Sequence, residues 1–231
     1  MIENLKNILV SSGASWVLWL LFGLSVASIA VMLERARVFW SQRDDITRLV
    51  ADLHELLGKG DVAAARERLT KSRSAEAVVV LAGLAQWHRG ASAAQEAMAA
   101  ATGLLRARLE KRLIFLGTVG NNAPFIGLLG TVIGVVGAFD ALGSGAITAT
   151  TTQLASERVM STISEALVAT AVGLLVAIPA VAVFNYFQNL LMQRLTHVET
   201  LGHVLLTHLG GVQSQAATAP SAHPAAAVGE R

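Results

Sequence analysis

Three long apolar stretches limit what this chain can fold into more than any other feature. They occupy residues 16–33, 113–139 and 158–187. Each is close to or beyond the roughly 20 residues that carry an α-helix across a bilayer. Hydrocarbon offers the backbone no hydrogen-bond partner, so such stretches are expected to be helical. Composition agrees: 53% of the 231 residues are hydrophobic and only 15% are charged, too apolar for an ordinary soluble domain of this length. Trp16 and Trp19 stand at the entry of the first stretch as interfacial anchors, and "ERARVFW" closes it with charge and Trp40. Only Lys6 precedes it and no small-residue cleavage site follows, which argues against a cleaved signal peptide.

The basic residues set the expected orientation. Fourteen of the eighteen Lys and Arg residues lie in 34–112, and none lies in 140–156. The side richer in Lys and Arg faces the cytoplasm. The expected plan is an all-α integral membrane protein with three transmembrane helices and the N-terminus outside. It comprises an external segment (1–15), a first span (16–33), a cytoplasmic helical region (34–112) and a second span (113–139). An external loop (140–157), a third span (158–187), a cytoplasmic helix (188–211) and a disordered Ala/Pro/Ser-rich tail (212–231) complete it.

Within 34–112 the patterning is helical. Ile46, Leu49, Val50, Leu53, Leu56 and Leu57 form one apolar stripe, ended by Gly58 and Gly60. Asp61 reads as the N-cap of the next helix. A further helix is expected from about Ser74 to Trp87, stopping near Gly90. Another starts near Ser92 and is expected to run unbroken through "ARLEKRLIFL" into the second span. No phosphate-binding glycine loop and no nucleophile–base pair occurs. Cysteine is absent, and the six histidines show no metal-ligand spacing. The expectation is therefore a non-enzyme with no cofactor, no metal and no nucleic-acid partner. A secondary transporter is disfavoured because three spans offer no inverted repeat.

The second and third stretches carry unusual faces. Gly127, Gly130, Gly134 and Gly137 recur at helical spacing in the second, and Gly117 and Gly120 extend the face backwards. Glycine costs a helix about 1 kcal/mol against alanine, a loss that close helix approach can offset in a membrane. Pro124 lies within this stretch and frees a carbonyl near Gly120, which Asn121 or Asn122 is expected to satisfy. In the third stretch Thr162, Ala166, Ala169, Gly173, Ala177 and Ala180 make a matching small-residue face. Glu165 and Thr170 flank it, Leu167, Leu174 and Ile178 point away, and Pro179 interrupts the inner half.

Counting helical rise places Thr131 and Thr170 at similar depth, with Glu165 roughly 7 Å nearer the outside. A carboxylate in a span costs roughly 2.5–3.5 kcal/mol on insertion scales and marks a functional candidate. Two hydroxyls at one level below it suggest a hydrated path completed by several copies. Plain helix packing, with threonines bonding back to their own helix, is the alternative.

"LERAR", "GDVAAARERL", "APFIGLLGTVIGVVGAF" and "ISEALVATAVGLLVAIPAV" resemble the ExbB/TolQ/MotA proton-channel family, over nearly the whole chain to about Leu209. The resemblance implies a homo-oligomer, a pentamer, in the bacterial inner membrane. Its central pore would hold a dimer of an ExbD/TolR-like single-span protein whose membrane aspartate takes up the ion. A TonB- or TolA-like protein is a further implied partner, with membrane lipid around the assembly. Carried over, Thr131 and Thr170 match the family's pore threonines and Glu165 its membrane glutamate. Pro124 and Pro179 fall where the MotA branch has two functional prolines. The small-residue faces would give a smooth wall for a turning central helix. Three spans favour the ExbB and TolQ branches over MotA, which has four. The implied role is a motor subunit that energises envelope processes such as TonB-dependent transport. A Tol-type or gliding-motility subunit, or a non-conducting scaffold, is the alternative.

Overall fold

A computed structural model describes residues 15–41, 45–143 and 149–218. Every regular element among them is helical. The helices are α1 (Ser15–Ser41), α2 (Ile46–Gly58), α3 (Val62–Lys71), α4 (Ala75–Ala85), α5 (Ala91–Glu110), α6 (Leu113–Gly143) and α7 (Ala149–Thr218), with one 3-10 turn at Trp87–Arg89. The chain divides into two compact units. The membrane unit takes residues 1–40 and 109–191, and the polar unit takes 41–108 and 192–231. The external N-terminal segment expected at 1–15 lies, apart from Ser15, outside the described residues.

In the membrane unit, α1, α6 and α7 are each long and apolar enough to cross a bilayer. The chain is an all-α integral membrane protein. Val17 and Leu21 of α1, Val119, Ala123 and Ile133 of α6, and Val176 and Ala177 of α7 form its common core. The charged "ERARVFW" exit stays helical within α1.

Three expectations need correction. The helix expected to run unbroken from near Ser92 into the second stretch is broken: α5 ends at Glu110 and α6 begins at Leu113. The cause is a competing donor. Arg35 Nη1 donates to the Leu109 carbonyl at 3.2 Å, the acceptor that an unbroken helix would offer to the amide of Leu113. Glu34 pairs with Arg112 beside the break. The segment expected as a loop at 140–157 is largely helical, because α6 continues to Gly143 and α7 starts at Ala149. Neither proline nor glycine lies between Ala149 and Glu157 to prevent it. The expected tail also begins late, since α7 passes through Gly210 and Gly211 and reaches Thr218; the rest of the tail, 219–231, lies outside the described residues.

The polar unit is built from leucine stripes. Leu49, Leu53 and Leu57 of α2 are buried with Leu69, Val79, Val80, Leu201, Leu205 and Leu209 in one core. Side-chain oxygens of Asp45, Asp61 and Ser74 accept the amides of Arg48, Ala64 and Ala77 at the starts of α2, α3 and α4, as N-caps do. Gly60 (φ 75°) and Gly90 (φ 98°) occupy left-handed turns that residues with a Cβ avoid.

Candidate functional site

The glycine face of α6 is packed against the small-residue face of α7 in the same chain. A Cβ on Gly127 would stand 2.8 Å from the Ala169 carbonyl oxygen and 3.0 Å from Thr170 Cα. One on Gly130 would meet Ala169 Cβ at 2.8 Å, and one on Gly134 would overlap Ala166 Cβ. From α7, a Cβ on Gly173 would reach the Ala123 carbonyl at 2.7 Å. Gly117 and Gly120 carry the contact on to Phe184 and Val181, whereas Gly137 has nothing nearer than 3.9 Å. Such spacings tolerate only hydrogen at the α-carbon, which is why glycine is used despite its helix cost.

This contact positions the threonines. The Thr170 hydroxyl donates across to the Gly127 carbonyl at 3.0 Å. The Thr131 hydroxyl donates to the Leu128 carbonyl of its own helix at 2.7 Å. Both side chains are half-buried, and their hydroxyls end on consecutive carbonyls of α6. Thr131 thereby makes a local back-bond, while Thr170 makes a bond between helices. Glu165, also half-buried, accepts a hydrogen bond from Ser15 at the start of α1, at 2.6 Å. Ser15 was not singled out in the sequence; its place just before the first apolar stretch was the only available sign.

The prolines each remove a backbone donor. Pro124 is half-buried within α6, and Pro179 is exposed within α7. The expected relief of the Gly120 carbonyl by Asn122 does not occur. Asn122 Nδ2 donates to the Thr118 carbonyl at 2.8 Å. A side chain at position i reaches i−4 along its own face, whereas Gly120, two residues back, lies on the other side. The small-residue faces also do not form a free wall. They bury each other, and the surfaces left exposed carry Phe125, Leu128, Val132, Leu167, Leu174 and Ile178. Glycine at these positions lets two helices of one chain approach and leaves no smooth exterior.

The sequence profile of the MotA/TolQ/ExbB proton channel family matches residues 71–200. The chain belongs to that family. Among relatives, the biopolymer transport protein ExbB of Salmonella typhimurium is 33% identical over 201 residues, covering 80% of this chain and 76% of the relative. The ExbB protein of Xanthomonas campestris pv. campestris is 40% identical over 98 residues, 42% of this chain and 36% of its own length. The Tol-Pal system protein TolQ of Pseudomonas aeruginosa is 46% identical over 80 residues, 35% of this chain and 32% of its own. The chain thus spans about a third of the length of the last two.

In this MotA/TolQ/ExbB family member, the profile match also runs through the polar unit, where sequence reading missed a buried charged cluster. Glu76 is 3% exposed, and its Oε2 lies 4.0 Å from Arg194 Nη1. His197 Nδ1 lies 3.9 Å from Glu76 Oε1. Glu76 Oε2 and His197 Nδ1 make no hydrogen bond among the described residues. Glu76 stands far from the other two in the chain, so no local pattern announces the cluster. Burial of the pair inside a leucine core makes it an α4–α7 register contact, costly to break from one side.

Proposed function

We propose that the chain is the channel-forming subunit of an inner-membrane motor driven by the proton-motive force, of ExbB/TolQ type. In this reading it assembles as a homo-pentamer with the N-terminus outside and residues 34–112 in the cytoplasm. A dimer of an ExbD/TolR-like single-span protein occupies the centre, and a TonB- or TolA-like protein receives the work. The observation that carries the proposal is the placement of Thr131 and Thr170 on consecutive α6 carbonyls, with Glu165 further along α7 toward its N-terminus. Among its described residues the unit offers hydroxyls but no carboxylate at that level, so the ion-binding acid comes from the partner.

Protons enter from outside past Glu165, bind the partner's carboxylate beside the hydroxyls, and leave to the cytoplasm. One charge falling through 100 mV releases about 2.3 kcal/mol, enough to bias stepwise rotation of partner against ring. Because the glycine faces are spent within the chain, the partner helix turns against the threonine-bearing edges of α6 and α7. Membrane lipid covers the outward aliphatic faces. The process served is TonB-dependent transport. A Tol-type envelope role is the second reading, supported by the 46% identity to the Pseudomonas aeruginosa TolQ protein; complementation of strains lacking each system separates the two.

The test is proton flux in liposomes carrying the chain with and without its single-span partner. Flux that requires the partner supports the proposal. Its absence in both, with an intact assembly, favours a passive scaffold and overturns it. Reporter fusions near residue 75 test the orientation: an external signal contradicts it.

A further inference from the structure

We propose that His54 and His208 form a binding site for one late first-row divalent ion, of the Zn2+, Cu2+ and Ni2+ class, on the polar unit. The two imidazoles come from α2 and α7. Their centroids lie 5.0 Å apart with planes at 78°. Two imidazoles bound to one tetrahedral ion at the usual Zn–N distance of about 2.0–2.1 Å place their centroids about 5 Å apart.

The His208 ring is held in the state a ligand needs. Its Nδ1 lies 2.9 Å from the Val204 carbonyl oxygen. A carbonyl only accepts, so Nδ1 carries the proton, and the neutral ring keeps its lone pair on Nε2. Backbone-anchored Nδ1–H with Nε2 left free is the common second contact of metal-binding histidine. Nε2 lies on the side of the ring nearest α2. It lies 3.8 Å from where a Cβ on Gly58 would sit, and Gly58 is one turn after His54 on the same side of α2. The Nε2 edge of the ring therefore faces α2, the helix that carries His54.

Both ligands sit on fixed supports. Leu53 and Leu57 flank His54, Leu205 and Leu209 flank His208, and all four are buried in one core. His54 itself is exposed, giving an ion access from solvent. Among the described residues no hydrogen bond holds the His54 ring. No third His, Cys, Asp or Glu gathers there among the described residues, so water fills the remaining positions. Imidazole with water suits Zn2+, Cu2+ and Ni2+ rather than Mg2+ or Ca2+. An ion held by both rings ties α2 to α7 and stabilises the folded polar unit, because the unfolded chain lacks the paired site.

The test uses the full chain in detergent, free of any histidine tag, with the metal salts alone. Zn2+ titration calorimetry is expected to give one site per chain, and Cu2+ electron paramagnetic resonance to give coupling to two imidazole nitrogens. Exposed His54 can be changed without disturbing the core, so His54→Ala decides the matter. It should weaken Zn2+ binding by at least about tenfold, since the second imidazole binds intramolecularly. It should also abolish the Zn2+-induced rise in unfolding temperature. His88→Ala and His203→Ala should change neither. Zn2+ affinity within about twofold of the parent in His54→Ala, or a Cu2+ spectrum with a single imidazole nitrogen, overturns the proposal.

Discussion

The membrane unit and the polar unit are both helical, yet they are held together by opposite means. In the membrane unit backbone approaches backbone: Gly127 to Ala169 and Thr170, Gly173 to Ala123 and Gly127. In the polar unit the centre is leucine on leucine, with Leu49, Leu53, Leu69, Leu201 and Leu205 almost wholly buried. Solvent explains the difference. Lipid tails are as apolar as leucine, so burying side chains yields little there, and surface complementarity at short range replaces it. Water rewards buried apolar area at about 25 cal/mol per Å², so bulky side chains serve the polar unit best. Among the described residues, the side chains of Asp45, Asp61 and Ser74 cap the starts of polar-unit helices.

The contrast is broken most severely by adding volume to the membrane seam. Gly134→Leu drives a side chain into Ala166, and overpacking of this kind costs about 1–3 kcal/mol or more. The expectation is that little folded protein is recovered in detergent, measured by size-exclusion yield and thermal unfolding. Gly137→Ala, whose new methyl meets nothing nearer than 3.9 Å, should behave like the parent. In the polar unit, removal rather than addition does the damage. Leu205→Ala should lower stability by about 2–5 kcal/mol, read from the polar unit's denaturation. Asp61→Ala, which deletes one cap, should cost about 1 kcal/mol by the same measurement.

The smallest effect concerns an exposed pair on α3. Lys71 Nζ donates to Glu67 Oε1 at 2.6 Å; that hydrogen bond first, then the lysine charge, holds the Glu67 carboxyl below its ordinary range. A depressed folded value means that any stabilisation is present above the unfolded value and fades as pH falls through the folded one. An NMR titration of Glu67 should therefore show a midpoint that rises in Lys71→Met, with little change in stability.

Much of this was legible in the residues. The glycine spacing in α6 and the alanine spacing in α7 marked the two faces that meet, and Asp61 and Ser74 marked helix starts by local chemistry. What stayed hidden depended on distant partners. The break after Glu110 has no proline or glycine to signal it; it follows from Arg35 reaching the Leu109 carbonyl. The Ser15–Glu165 bond, the Glu76 cluster and the His54–His208 pair each join residues with no shared local pattern. The periodicity of the small faces could not say whether another chain or the same chain covers them, and the contacts of Gly130 and Gly134 answer that within the chain.

If the hydroxyl bridging α7 to α6 handles the ion, conduction depends on the Thr170 side chain. Proton flux should be measured in liposomes with the partner present for Thr170→Val and Thr170→Ser, after oligomeric assembly is verified for each. Valine keeps the shape and removes the donor to Gly127, whereas serine keeps the hydroxyl. The expected outcome is an assembled but non-conducting valine variant and a conducting serine variant. Full proton flux through an assembled Thr170→Val complex would contradict it.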